Sequence, residues 1–94
     1  MEQRKIQSVI ELYRKRFEEV GIQKKRMEPN EFFSSKQQML EHAHFLLEGI
    51  LEYSQNPEQR GKTGRHLGSV QTLLWCAEWY TLDEIMNHNR PDIL

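Results

Sequence analysis

The sequence predicts an all-α fold, an irregular bundle of three main helices and a short C-terminal fourth helix, in one domain spanning residues 1–94. Apolar residues recur at three- and four-residue spacing in four separate segments, the pattern of amphipathic helices. The alternation of apolar and polar residues that marks a half-buried strand is nearly absent, and β-branched residues are few. A chain of this length is enough for one small domain and not for two.

The first two helices are predicted over about residues 2–20 and from Ser34 or Ser35 to about Ser54, joined by a connection at residues 22–34. Gly21 can adopt the left-handed conformation that ends a helix. Each serine has a glutamine three residues later, the spacing of a capping box. The predicted core faces contain Ile6, Val9, Ile10, Tyr13, Phe17 and Val20 in the first helix, and Met39, Ala43, Leu46, Leu47, Ile50 and Leu51 in the second.

The third helix is predicted from Arg65 to about Trp79, and its start stays open because Asn56-Pro57 could begin it earlier. We expect Cys76, which lies in its apolar run, to be buried. The fourth helix has the clearest start signal, since Thr81 and Glu84 have capping-box spacing. It must end near Asn89, because Pro91 follows.

Composition excludes several classes of protein. The formal net charge is -1, so no overall field marks a nucleic-acid or membrane binder. A single cysteine rules out an internal disulfide and any multi-cysteine zinc site. No N-terminal apolar signal region and no run long enough to span a bilayer is present. We therefore expect a cytoplasmic protein without membrane contact.

Basic residues concentrate in the first 28 positions, which carry eight Lys and Arg against five Glu. This end of the chain could contact the phosphates of a nucleic acid. A solvated helix face is the first interpretation, because the interleaved aromatic residues Tyr13 and Phe17 belong to the predicted core. The candidate nucleic-acid contacts are Arg14, Arg16, Lys24, Lys25 and Arg26.

No catalytic, metal or cofactor site is expected. Cys76 and His66 lie ten residues apart on one predicted helix, about 15 Å, too far to pair. Glu41, His44 and Glu48 have the spacing of half a di-metal carboxylate site, which only a homodimer could complete. We expect exposed or interface histidines instead.

Glycines at 61, 64 and 68 allow two interpretations. One is a phosphate-binding loop at a helix N-terminus, which the absence of a preceding strand disfavours. The other, which we prefer for Gly68, is a close approach of a second helix.

Two tryptophans, Trp75 and Trp79, make the third helix apolar nearly all round, more than a small monomer can cover. The core is the first interpretation for both, with Trp79 the more open to an interface. Trp75, Trp79 and Tyr80 are the candidate interaction residues, since aromatic side chains are favoured interface anchors. We expect a protein partner or self-association, as a homodimer.

The C-terminal segment resembles a group of small all-helical proteins of tailed phages, prophages and their bacterial hosts. The resemblance rests on Arg65-x-Leu67-Gly68-x-Val70-Gln71-x-x-Leu74-Trp75, on Tyr80-Thr81-Leu82-Asp83-Glu84-Ile85 and on His88-Asn89-Arg90-Pro91. Ser69 and Thr72 depart from the pattern, which has a bulky aromatic residue and a glycine there. The group implies no catalytic residues.

These observations together predict a non-enzymatic protein-interaction module, a phage-related accessory protein. The alternative is a nucleic-acid-associated protein that uses the basic N-terminal helix. Gln71 lies on an apolar face and must find hydrogen-bond partners, either in the turn at Tyr80-Thr81 or on a facing helix.

Overall fold

A computed structural model describes residues 3–91 and shows an all-helical chain. Its helices are α1 (Gln3–Val20), α2 (Lys36–Ser54), α3 (Arg60–Cys76) and α4 (Leu82–Asn89). A short 3₁₀ turn, Pro57–Gln59, leads directly into α3. The described residues form four α-helices and no strand, which confirms the predicted all-α class.

α2 is central, because it packs against both α3 and α1, most extensively against α3. α4 returns to α1. The core between them contains the apolar faces predicted for α1 and α2, except Val20, which is exposed, and Met39, Leu46 and Leu51, which pack at its edge. Leu67, Val70 and Leu74 are the fully buried apolar residues that α3 contributes.

The predicted signals at the ends of α1, α2 and α4 lie where expected. Gly21 takes the left-handed conformation, with φ of 81°. Ser35 caps α2, since its side chain accepts a hydrogen bond from the backbone N–H of Gln38, but the Gln38 side chain accepts from the Ser34 N–H, so the predicted capping box is only half formed. Thr81 and Glu84 form a complete capping box at the start of α4.

α3 begins and ends earlier than predicted. It starts at Arg60, because the Asn56 side chain accepts from the Glu58 N–H at 3.0 Å and organises the turn that precedes it. It stops at Cys76 rather than near Trp79. The stop is a Schellman motif in which the Trp79 N–H bonds to the Leu74 carbonyl and the Glu78 N–H to the Trp75 carbonyl, at 2.9 and 3.0 Å.

Glu78 occupies the left-handed position of this motif, with φ of 63°. Glycine is the usual residue there, and Gly21 fills the equivalent position after α1. For a residue with a Cβ that conformation costs about 1–2 kcal/mol. The corner between α3 and α4 therefore retains an acidic side chain where glycine would be less strained.

Glu78→Gly should therefore stabilise the fold by roughly 0.5–1 kcal/mol, because relief of strain exceeds the added entropy of the unfolded chain. Urea denaturation measures the change. Glu78→Ala is the matched control, since it removes the same carboxylate and keeps the strained backbone. A gain of equal size in both variants would show that the charge, not the conformation, is unfavourable.

Two predictions made for α3 are wrong. Cys76 is exposed, because it lies two residues after the buried Leu74 and therefore about 200° around the helix from the core face. Gly68 does not mediate a close helix approach: a Cβ at this position would meet nothing within 4 Å. Gly68, Ser69 and Thr72 are all exposed on the surface of α3.

Candidate functional site: the α3–α4 corner

The three predicted interaction residues meet in one cleft where α3 turns into α4. Trp75, Trp79 and Tyr80 line this corner cleft together with Glu78, Thr81 and Glu84, around a volume of about 300 Å³. The Schellman motif at Glu78 and the capping box at Thr81 fix the backbone on both sides of the turn. The cleft is therefore built from residues with defined backbone positions.

The two tryptophans differ in exposure. The sequence favoured Trp79 as the one more open to an interface, but Trp75 is the more exposed of the two. Trp75, expected in the core, is 46% exposed. Trp79 is half-buried, with its ring 5.2 Å from that of Phe17. Tyr80 is buried against Tyr13 at 5.6 Å. Trp75 is thus the ring of the corner cleft that is open to a partner.

Arg16 of α1 covers the other two rings. Its guanidinium lies 4.6 Å from the Trp79 ring centre and 4.7 Å from the Tyr80 ring centre. It also donates a hydrogen bond to the Trp79 carbonyl at 3.4 Å. Cation–π contacts of this kind fix α1 to the corner.

The two carboxylates of the cleft have different roles. Glu84 accepts hydrogen bonds from the Thr81 backbone N–H and hydroxyl, both through Oε1, and the backbone bond is the main cause of its lowered pKa. Glu78 forms an exposed ion pair with Lys36 of α2. Glu84 was foreseen only as a capping residue, and no signal in the sequence marks Glu78.

A buried polar chain behind the corner connects three helices. The Gln71 amide exchanges two hydrogen bonds with Asn89 of α4, at 2.7 and 3.2 Å, and donates a third to the Tyr13 hydroxyl at 3.1 Å. We assign the Tyr13 O–H as donor to His88 Nδ1, 2.8 Å away. Burial raises the pKa of Tyr13 to about 12, which keeps that proton in place. Gln71 thus finds its partners on facing helices, the second of the two predicted possibilities.

Histidines of α2 hold the connection at residues 22–34 against the helix. His44 Nδ1 donates to the Ile22 carbonyl at 2.8 Å, and His42 Nδ1 accepts from the Met27 N–H at 3.0 Å. His44 is buried and stacks on Phe17 at 4.5 Å, while its Nε2 has no hydrogen-bond partner among the described residues. The expectation of an exposed or interface histidine is therefore wrong for His44.

Lowering the pH should destabilise the fold in the range where these histidines titrate. Burial lowers the pKa of His42, His44 and His88 below their ordinary value of 6.5. The unfolded chain then binds protons first, so stability is retained above about pH 6.5 and lost as the pH falls through the folded pKa values. Urea denaturation between about pH 7.5 and 5 measures the loss, in a range where carboxylates stay ionised.

The variant His44→Phe keeps a ring beside Phe17 and removes one titrating group, so it should flatten part of the pH slope. Stability that stays constant over this pH range would contradict the account of neutral, buried imidazoles.

Most of the candidate nucleic-acid residues have partners within the chain. Arg14 pairs with Glu11 and Glu18, and Lys24 pairs with Glu48. Arg16 lies over the aromatic rings of the corner. Lys25 and Arg26 are exposed in the connection after α1. The basic residues therefore do not form one uniformly free surface.

A larger groove of about 870 Å³ lies between the start of α1 and α3. Gly61, Gly64 and Gly68 line it, together with Gln3, Gln7 and other polar residues. These glycines lie inside α3 and not in a loop, so the phosphate-loop interpretation does not hold for them. Within residues 3–91, no group of three or more His, Cys, Asp or Glu is placed to hold a metal ion.

Comparison of the chain with protein-family models, with curated proteins and with solved structures gives no match. Among residues 3–91, every helix is too short or too polar to span a lipid bilayer. The function is therefore inferred from the geometry of the corner.

Proposed function

We propose that the chain is a non-enzymatic protein-interaction module that docks through the corner cleft. The observation that supports this role most strongly is the convergence of Trp75, Trp79 and Tyr80 on one cleft, with Trp75 46% exposed. Large aromatic side chains in a defined pocket are typical anchors of protein interfaces. The resemblance of residues 65–91 to small phage and prophage proteins supports an accessory role in the cytoplasm.

A homodimer is the second part of this function. Other exposed apolar side chains include Leu82 and Met86, which lie four residues apart on α4 and are 52% and 56% exposed. A second copy of the chain that covers Leu82, Met86 and Trp75 would remove these apolar side chains from water. Sedimentation velocity at increasing protein concentration should show dimers. A monomer at all concentrations would exclude the homodimer, and the corner cleft would then have to bind a different protein.

The alternative, a nucleic-acid-associated protein, draws support from the exposed side chains of Lys25 and Arg26. It predicts binding to oligonucleotides that weakens steeply with added salt. Flat fluorescence anisotropy against single- and double-stranded oligonucleotides at low salt would remove it.

Affinity capture from cell lysate with and without nuclease separates the two functions. If the chain is an interaction module, wild-type protein should capture a defined set of proteins even after nuclease treatment. The Trp75→Ala variant should no longer capture them. Phe32→Ala is the matched control, because it removes a ring that is 94% exposed in the loop before α2. Docking through the corner would be contradicted if both variants captured equally less protein, or if nuclease treatment removed all captured proteins.

A further inference from the structure

The corner cleft combines aromatic rings with carboxylates, and this combination has a defined binding chemistry. Aromatic faces attract cations through the ring quadrupole. Carboxylates accept the paired N–H donors of a guanidinium. We propose that the corner cleft binds an arginine side chain carried by an exposed segment of a partner protein. This inference rests on the docking role proposed above and specifies the chemistry of the occupant.

The chain already holds one guanidinium against two aromatic rings of this cleft. Arg16 lies over Trp79 and Tyr80 at 4.6 and 4.7 Å from their ring centres. Trp75 is the third ring of the cleft, and among the described residues it has no aromatic or cationic partner. A partner's arginine would therefore lie against Trp75, since the other two rings are covered.

The carboxylates are placed to pair with such an arginine. Both hydrogen bonds that Glu84 makes to Thr81 use Oε1, which leaves Oε2 for a further donor. The ion pair between Glu78 and Lys36 joins side chains that are 70% and 58% exposed. Exposed pairs of this kind are weak, so an incoming guanidinium can replace the lysine.

The strained backbone at Glu78 agrees with this role. A glycine at this position would end α3 with less strain, as Gly21 does after α1. Strained residues cluster at binding and active sites, where the surrounding structure holds them in place. The left-handed conformation of Glu78 places a charged residue, rather than a glycine, among the residues that line the cleft.

Arginine is favoured over lysine because of shape as well as charge. A planar guanidinium stacks on an indole ring while its edge pairs with a carboxylate, which a compact ammonium group cannot do. The expected order of binding is therefore arginine above lysine, with no binding of the uncharged citrulline.

Tryptophan fluorescence tests this directly, since both tryptophans of the chain line the cleft. The probe is an acetylated and amidated peptide, Gly-Ser-Arg-Ser-Gly, compared with peptides that carry lysine or citrulline in place of arginine. We expect a saturable fluorescence change with the arginine peptide, half-complete at about 1 mM, and none with the citrulline peptide. A folded protein without a saturable change, or an equal change with citrulline, would overturn the inference.

The double variant Glu78→Gln and Glu84→Gln removes both charges from the cleft and leaves both tryptophans in place. Glutamine can still complete the capping box at α4, so the fold is retained, as circular dichroism should show. We expect the arginine peptide to bind at least about tenfold more weakly to this variant, whereas Glu31→Gln, an exposed control in the loop before α2, should bind it as wild type does. Unchanged binding to the double variant would refute the carboxylate contact.

The two proposals can fail separately. If the arginine peptide does not bind while capture from lysate still depends on Trp75, the docking role is retained and the arginine chemistry is refuted.

Discussion

Phe17→Ala should destabilise the protein by about 3–5 kcal/mol, the usual cost of truncating a phenylalanine in a packed core. Phe17 is fully buried in α1, stacks on His44 of α2 and lies 5.2 Å from Trp79 beyond α3. Its removal leaves a cavity at the point where three parts of the chain meet. Domains of this size have a total stability of roughly 5–14 kcal/mol, so the variant should be marginal at room temperature.

Urea denaturation followed by circular dichroism measures this loss. Leu12→Ala is the matched control, because Leu12 lies on the same helix with 44% of its surface exposed and should cost less than about 1 kcal/mol. A Phe17 variant within about 1 kcal/mol of wild type would show that α1 is not anchored as the structure describes.

Gln71→Leu should cost about 2–3 kcal/mol, because it removes the central member of the polar chain that holds α4. Asn89 would lose both of its hydrogen bonds to the amide, and the Tyr13 hydroxyl would lose a donor. Hydrogen exchange should report faster opening of α4 than of α2. Thr72→Val is the control, since Thr72 is the exposed neighbour on the same helix.

A double-mutant cycle with Asn89→Leu refines this test. Replacing both partners by apolar residues leaves no unsatisfied amide, so the double variant should be destabilised by less than the sum of the single variants. Strict additivity would show that Gln71 and Asn89 do not interact in solution.

The helix ends that the sequence could predict are those that carry a residue-specific signal. Gly21 ends α1, and Thr81 with Glu84 starts α4, as expected from the left-handed preference of glycine and the geometry of the capping box. The end of α3 was not predicted, because it depends on a left-handed backbone conformation at Glu78. Glutamate carries no preference for that conformation, so the sequence gives no signal for it.

The sequence could single out the three aromatic residues of the corner cleft, but neither their arrangement nor the carboxylate of Glu78 beside them. Trp75, Trp79 and Tyr80 do meet, yet the exposed ring is Trp75 and not Trp79. Periodicity along α3 could not show this, because Trp79 lies beyond the helix and its position depends on the turn. The contact of Arg16 with these rings joins residues 63 positions apart, which local patterns cannot reveal.

The decisive measurement is the capture yield of Glu78→Gly, compared with wild type for the proteins that remain after nuclease treatment. Most variants lose partners when they lose stability, whereas this one should be more stable and still lose the carboxylate of the corner cleft. We expect lower capture from a protein whose unfolding free energy is higher. Capture that equals or exceeds that of wild type would contradict a contribution of the Glu78 carboxylate to docking and leave Glu78 as an unexplained strain in the fold.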